Sequence, residues 1–183
     1  MPNNTPTPPP RPILTRAAEN GLRLGLIISA LVLAMGLSAK FAPAALLLWG
    51  GTLAMPFITY RMLRRSATEA GGLGFPEIWA EGIASYFLGA LLPAALAYIC
   101  LRFVAPTFIA DTVADSIAIL DAQGTADFAE LADTMRRISA AKMPTAADIA
   151  AQLISFNIIV GTVLSFVVAL PVALTVRRVP SNK

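Results

Sequence analysis

Residues 82–101 read GIASYFLGALLPAALAYICL, twenty consecutive positions without a charged side chain. As an α-helix rising 1.5 Å per residue, such a segment is about 30 Å long, which matches the thickness of the hydrocarbon core of a bilayer. The segment therefore predicts a helix that crosses a membrane.

Three further segments are similarly apolar, in a chain that is 56% hydrophobic and only 14% charged. A soluble domain carries about 25% charged residues. The four predicted spans cover approximately residues 22–39, 43–60, 80–102 and 153–176. We expect an all-α fold, a four-helix transmembrane bundle forming a single membrane domain over residues 13–183, after a disordered Pro-rich tail at residues 1–12. A Gly-rich link at residues 66–76 is expected between the second and third spans.

Residues 105–152, between spans three and four, hold seven of the eleven acidic residues. Apolar positions recur there at helical spacing, which predicts two surface helices separated by Gly124. The expected apolar stripes are Ile109, Val113, Ile117 and Leu120, and then Phe128, Leu131, Met135 and Ile138. Pro144 should end the second surface helix, and Thr145 is a candidate N-cap for the last span.

Lys and Arg flank the spans unevenly, and positively charged flanks favour the cytoplasmic side. With the N-terminus inside, the cytoplasmic segments hold nine of the fourteen Lys and Arg residues. We therefore expect a multi-pass protein of the cytoplasmic (inner) membrane with both termini in the cytoplasm and the loop at residues 105–152 outside.

A cleavable signal peptide is the alternative interpretation of the first span, because a basic flank and an apolar run precede the small residues Ser38 and Ala39. The run is at the upper length limit for a signal peptide, and Leu37 fits poorly at the third position before such a cut. The membrane span is the preferred interpretation.

Three patterns of two small residues, four positions apart, would let helix backbones approach closely in lipid. They are Gly21 with Gly25, Ser85 with Gly89, and Gly161 with Ser165. Packing within the bundle is the favoured interpretation, and a homodimer face is the alternative. Kinks are expected at the prolines inside spans: Pro56, Pro93 and Pro171.

Few polar residues lie near the membrane-spanning segments. Glu77 and Glu81 should stabilise the start of the third helix, where the helix dipole favours carboxylates. A sharper hypothesis pairs Glu81 with Arg23, or makes it a titratable group in a transport path. Asn157 is expected to make a hydrogen bond between helices.

Residue types needed for most chemistry are scarce: histidine is absent, and Cys100 is the only cysteine. We therefore predict no enzyme activity, catalytic residue, cofactor or metal site. Asp111, Asp115 and Asp121 fit a solvated helix face better than a cation site. The basic residues flank apolar runs and form no patch interleaved with aromatics, so no nucleic-acid partner is expected.

The chain resembles a family of small bacterial membrane proteins of unknown function, found largely in Bacteroidetes and having four predicted spans. The resemblance covers nearly all of the chain after the tail. It rests on residues 19–21 (ENG) leading into 24–26 (LGL), on 74–77 (GFPE) through 81–82 (EG), and on 102–106 (RFVAP). It implies a cytoplasmic-membrane location and an all-helical bundle, without an assigned activity.

Taken together, these features favour an accessory, scaffold or interaction protein; the alternative is a small transporter or channel subunit. The expected partners are the lipid bilayer and either a second copy of the chain or another membrane protein.

Overall fold

Helices form all the regular secondary structure of residues 11–38 and 41–176, the part of the chain that this computed structural model describes. In chain order they are α1 (Ile13–Ser38), α2 (Ala42–Glu69), α3 (Phe75–Ile99), a π-helical turn (Cys100–Val104), α4 (Phe108–Ala122), α5 (Ala126–Ala141) and α6 (Ala146–Thr175). The all-α prediction is therefore confirmed. The predicted tail lies outside the described residues, apart from Arg11 and Pro12.

Four helical segments are long and apolar enough to cross a membrane: Ile13–Leu37, Pro43–Glu69, Phe75–Val104 and Ala146–Thr175. Large apolar side chains project from them without protein cover, including Leu46, Leu53, Phe57 and Leu174, each more than 65% exposed. So many exposed apolar side chains are stable on a helix only when lipid surrounds it, while the helix satisfies its own backbone groups. The chain is thus a multi-pass membrane protein.

The described residues divide into two compact units, the first formed by residues up to Pro93 together with those from Ile154 onward, and the second by Ala94–Leu153. In the first unit, α3 lies against α1, α2 and α6. Leu63 and Ala67 of α2 pack with Ile78 of α3 and with Val168 and Val172 of α6. Neighbouring contacts show that α1 and α3 run in one direction, while α2 and α6 run in the other.

The small-residue patterns pack against each other within this unit. A Cβ atom on Gly21 would lie 2.9 Å from the carbonyl oxygen of Ser85, and one on Gly25 would lie 2.8 Å from that of Gly89. Both distances are too short for a real Cβ, so only glycine permits this crossing of α1 and α3. These contacts place the two patterns between α1 and α3, inside the unit.

The third pattern, on α6, also faces α3. Gly161 lies directly against the ring of Tyr86, and the Ser165 side chain lies against Gly82. Nearby, the indole nitrogen of Trp79 donates a hydrogen bond to the carbonyl oxygen of Thr162 at 3.2 Å. These contacts align α6 with α3.

The three prolines predicted to lie inside spans do so: Pro56 is within α2, Pro93 within α3 and Pro171 within α6. Each helix continues through its proline. In a membrane helix, neighbouring groups can satisfy the backbone carbonyl that the proline leaves without a hydrogen bond. Kinks at these positions stay a prediction.

The predicted link at residues 66–76 is partly wrong, because α2 continues to Glu69. Arg65 and Glu69 are one helical turn apart, and the ion pair from Arg65 Nε to Glu69 Oε1 at 2.7 Å supports the extra turn. The helix stops where Gly71 and Gly72 adopt φ values of 77° and 99°, which suit glycine. The extension places Ser66 on a helix instead of in a loop.

The second unit contains a pair of helices, α4 and α5, which we call the hairpin (residues 108–141). Gly124, with φ of 68°, separates the two helices as predicted. Arg136 of α5 joins them by pairing with Asp121 of α4. It also pairs with Asp133 of its own helix at 2.6 Å. After the hairpin, the Thr145 hydroxyl accepts a hydrogen bond from the backbone nitrogen of Asp148 at 3.2 Å, which confirms the predicted cap.

Candidate functional site

The carboxylate of Glu81 is the centre of a buried polar network in the first unit. Arg16 Nε donates to Glu81 Oε2 at 3.1 Å, and Asn20 Nδ2 donates to Oε1 at 3.2 Å. The hydroxyl of Ser66 also donates to Oε1. All four side chains are buried, with Glu81 only 1% exposed. Three helices, α1, α2 and α3, therefore meet at one carboxylate.

The spacing of residues along the helices explains this meeting. Arg16 and Asn20 are four residues apart, so they share one face of α1. Glu81, Ser85 and Gly89 likewise share one face of α3, and the last two contact α1 through its glycines. The close crossing of the glycines thus brings the carboxylate within reach of the arginine and the asparagine.

The predicted pairing of Glu81 with Arg23 is wrong, since its arginine partner is Arg16. The contact of Gly21 with Ser85 fixes the register of the two parallel helices. Glu81 is four residues before Ser85, and in parallel helices it therefore lies beside the residue four before Gly21, which is Ala17. Arg16 is next to Ala17. Arg23 is about 10 Å further along α1 than Arg16, at 1.5 Å per residue.

Next to the network is a cavity of about 430 Å³, between the first turns of α1 and the last turns of α2. Arg23 is exposed and lines it. The charged residues lining the cavity are Arg11, Arg16, Arg23, Arg65, Glu19 and Glu69. Arginine therefore outnumbers acidic residues two to one along the wall.

Ion pairs occupy most of these charges. Arg11 pairs with Glu19 at 2.9 Å, in addition to the pairs of Arg65 with Glu69 and of Arg16 with Glu81. Within the described residues, Arg23 has no carboxylate partner. The Nη2 nitrogen of Arg16 is buried, and no atom of the described chain accepts a hydrogen bond from it.

Two other predicted polar residues lie outside this network and do not line the cavity. Glu77 is exposed, and its Oε2 accepts a hydrogen bond from the backbone nitrogen of Gly74 at 2.7 Å, just before the start of α3. Asn157 is buried in α6. The expected interhelical hydrogen bond of Asn157 stays a prediction.

Sequence reasoning missed three members of the network: Arg16, Asn20 and Ser66. One signal was present, because Arg16, Asn20 and Arg23 are spaced as one polar face on a helix whose later turns are largely apolar. Ser66 could not be found in this way, since residues 66–76 were expected to form a link.

The fold and this site define a class of protein: an α-helical, multi-pass membrane protein with a buried charged network near one end of its spanning helices. Within that class, the chain belongs to the family described as proteins of unknown function, DUF4199, whose family model matches residues 19–178. The matched region contains Asn20, Ser66 and Glu81, and it begins three residues after Arg16. No curated protein and no solved structure matches the chain.

Proposed function

We propose that the chain is a non-enzymatic accessory protein of a bacterial cytoplasmic membrane, and that it binds a partner protein through the hairpin. The observation that carries this proposal is the apolar surface of the hairpin. Within α4 no residue is buried, and within α5 only Ala132 is. The apolar side chains left exposed are Phe108, Ile119, Phe128, Leu131 and Ile138.

Such a surface is unfavourable in water. Ile119 is 62% exposed and Ile138 is 64% exposed. The two helices that carry them are short, with 15 residues in α4 and 16 in α5. Isolated helices of this length are marginal without tertiary packing. Exposed apolar side chains gathered on such an element are typical of an interaction site.

Charge favours a protein over lipid as the occupant. Residues 108–142 contain six acidic and three basic residues, so the segment is net negative. Helices that lie on an anionic membrane surface carry Lys and Arg on their polar face, which is the opposite of this pattern. A second hairpin of the same chain would bring like charges together. We therefore infer a different protein, with a basic rim around an apolar groove.

The proposed orientation places the hairpin outside the cytoplasm. It is supported by the Lys and Arg distribution, because nine of the fourteen such residues fall in the segments assigned to the cytoplasm. The partner would then be a periplasmic protein or the external part of another membrane protein. The lack of histidine in the sequence supports a role without catalysis.

A small transporter or channel subunit is the second candidate. The buried pair of Arg16 with Glu81, beside a polar cavity, favours it, because charged groups within membrane helices often mark a path for ions or substrates. The hairpin favours the first candidate, since transport gives its apolar surface no role.

The test uses two charge-matched variants of the full-length protein. Ile138→Asp places a carboxylate in the apolar surface, and Ala129→Asp places one nine residues away, on the opposite face of α5. Both proteins are cross-linked in native membranes, extracted in mild detergent and analysed by mass spectrometry. We expect one partner protein to co-purify in fixed stoichiometry with the wild type and with Ala129→Asp. The same partner should be absent from Ile138→Asp.

Three outcomes would contradict the proposal. The partner could bind Ile138→Asp as well as it binds the wild type, or the wild type could purify alone. The chain could also cross-link only to itself. If the purified protein alone carries a solute into liposomes, the transporter candidate replaces the first.

A further inference from the structure

We propose that the cavity between α1 and α2 binds a phosphate group. This site lies in the first unit and does not depend on the hairpin or on its partner. Four arginines and two glutamates line the cavity, and Glu81 lies beneath Arg16. The lining therefore attracts an anion more strongly than a cation.

An unused donor points to the ligand more directly. Arg16 is 93% buried, since its exposed fraction is 7%, and its Nε is committed to Glu81. Its Nη1 donates to the carbonyl oxygen of Arg11 at 2.5 Å. The buried Nη2 has no acceptor among the described residues. Leaving a charged donor unsatisfied in a buried place is unfavourable, so an oxygen of a bound ligand would complete its hydrogen bonding.

Arg23 provides a second guanidinium in the wall of the same cavity, where its charge also acts on Glu69. It is exposed to the cavity and has no carboxylate partner within the described chain. Guanidinium groups bind phosphate well, because their planar set of N–H donors matches two oxygens of one phosphate. Arg16 and Arg23 thus bring donors without an ion-pair partner to the same cavity, whereas the other lining arginines are held by Glu19 and Glu69.

The size and the depth of the cavity fit such a ligand. A volume of about 430 Å³ lies within the range of sites that hold small molecules. The lining residues of α1 precede the uncharged run that begins at Leu24, so the cavity lies near the membrane–water interface. A phosphate at this depth could belong to the headgroup of an anionic phospholipid or to a soluble phosphate compound.

The experiment compares the full-length wild type with Arg23→Gln and with Arg64→Gln. Arg64 is exposed on α2, close in sequence to the cavity, but does not line it, so it controls for loss of one positive charge. In one arm, native mass spectrometry measures retention of phosphatidylglycerol against phosphatidylcholine. In the other arm, thermal unfolding is measured with inorganic phosphate and with chloride at equal ionic strength.

We expect Arg23→Gln to weaken binding of the effective probe roughly ten-fold, because it removes one charge-assisted contact, while Arg64→Gln behaves like the wild type. Selective retention of phosphatidylglycerol identifies a lipid headgroup. Stabilisation by inorganic phosphate without lipid selectivity identifies a soluble ligand. The proposal is overturned if neither probe binds selectively, if Arg23→Gln equals the wild type, or if Arg64→Gln loses binding equally.

Discussion

Replacing Glu81 with leucine should destabilise the protein strongly. The substitution removes the acceptor for Arg16, Asn20 and Ser66, whose three donors converge on this carboxylate. Arg16 and Glu81 are only 7% and 1% exposed, so water replaces the lost contacts poorly. Leucine also leaves the guanidinium as an uncompensated buried charge.

The expected loss of unfolding free energy is about 3–5 kcal/mol, the range for removing one partner of a buried ion pair. The two neutral donors add to this loss unless they find new acceptors, at roughly 1–3 kcal/mol each. Native proteins are stable by only about 5–15 kcal/mol, so a large share of the total disappears. The same reasoning predicts that Arg16→Met with Glu81→Leu regains the part of the loss that comes from the uncompensated charge, while the part that comes from Asn20 and Ser66 remains.

Equilibrium unfolding in mild detergent measures these effects, with Trp79 fluorescence as the probe in a Trp49→Phe background. The indole of Trp79 donates to Thr162 across α3 and α6, so its emission reports separation of these helices. The control is Glu69→Leu, which breaks the pair with Arg65 where both side chains are more than half exposed. We expect a much smaller change there, because exposed pairs contribute little.

Two results would refute this reasoning. If Glu81→Leu is as stable as Glu69→Leu, the network does not hold the three helices together. If the double variant is no more stable than Glu81→Leu alone, then the loss does not come from an uncompensated charge.

Three further predictions concern packing and topology. Gly89→Ala should lose about 1–3 kcal/mol, because a Cβ there would lie 2.9 Å from the carbonyl oxygen of Gly21. Gly36→Ala, which meets open space within α1, should be at least as stable as the wild type. Tyr86→Phe, which removes the buried 2.8 Å hydrogen bond to a threonine of α2, should lose about 1 kcal/mol in the same unfolding assay; an unchanged stability would mean that this bond contributes nothing. In a variant without the native cysteine, a membrane-impermeant thiol reagent should label Asp115→Cys in intact cells and Thr68→Cys only after lysis; the reverse pattern would contradict the proposed orientation.

Much of the architecture was predictable because it depends on local patterns. The twenty uncharged residues 82–101 are sufficient to predict a spanning helix, since a single segment satisfies its own backbone in lipid only as a helix. The two surface helices follow from apolar periodicity, and the break between them follows from the glycine at position 124, whose φ is 68° in the structure. The network was less predictable, because a buried carboxylate selects its partner through the register of two helices that are distant in sequence.

The sequence by itself determined that the chain forms helices and that four of them belong in a membrane, because hydrophobicity and helical spacing are properties of neighbouring residues. Only the tertiary structure decided that Glu81 pairs with Arg16. That choice depends on where α1 crosses α3, and Gly21 and Gly25 set the crossing by allowing backbone contact with Ser85 and Gly89. Both arginines lie on the same face of α1, so sequence spacing does not distinguish them, whereas a difference of about 10 Å along the helix axis does.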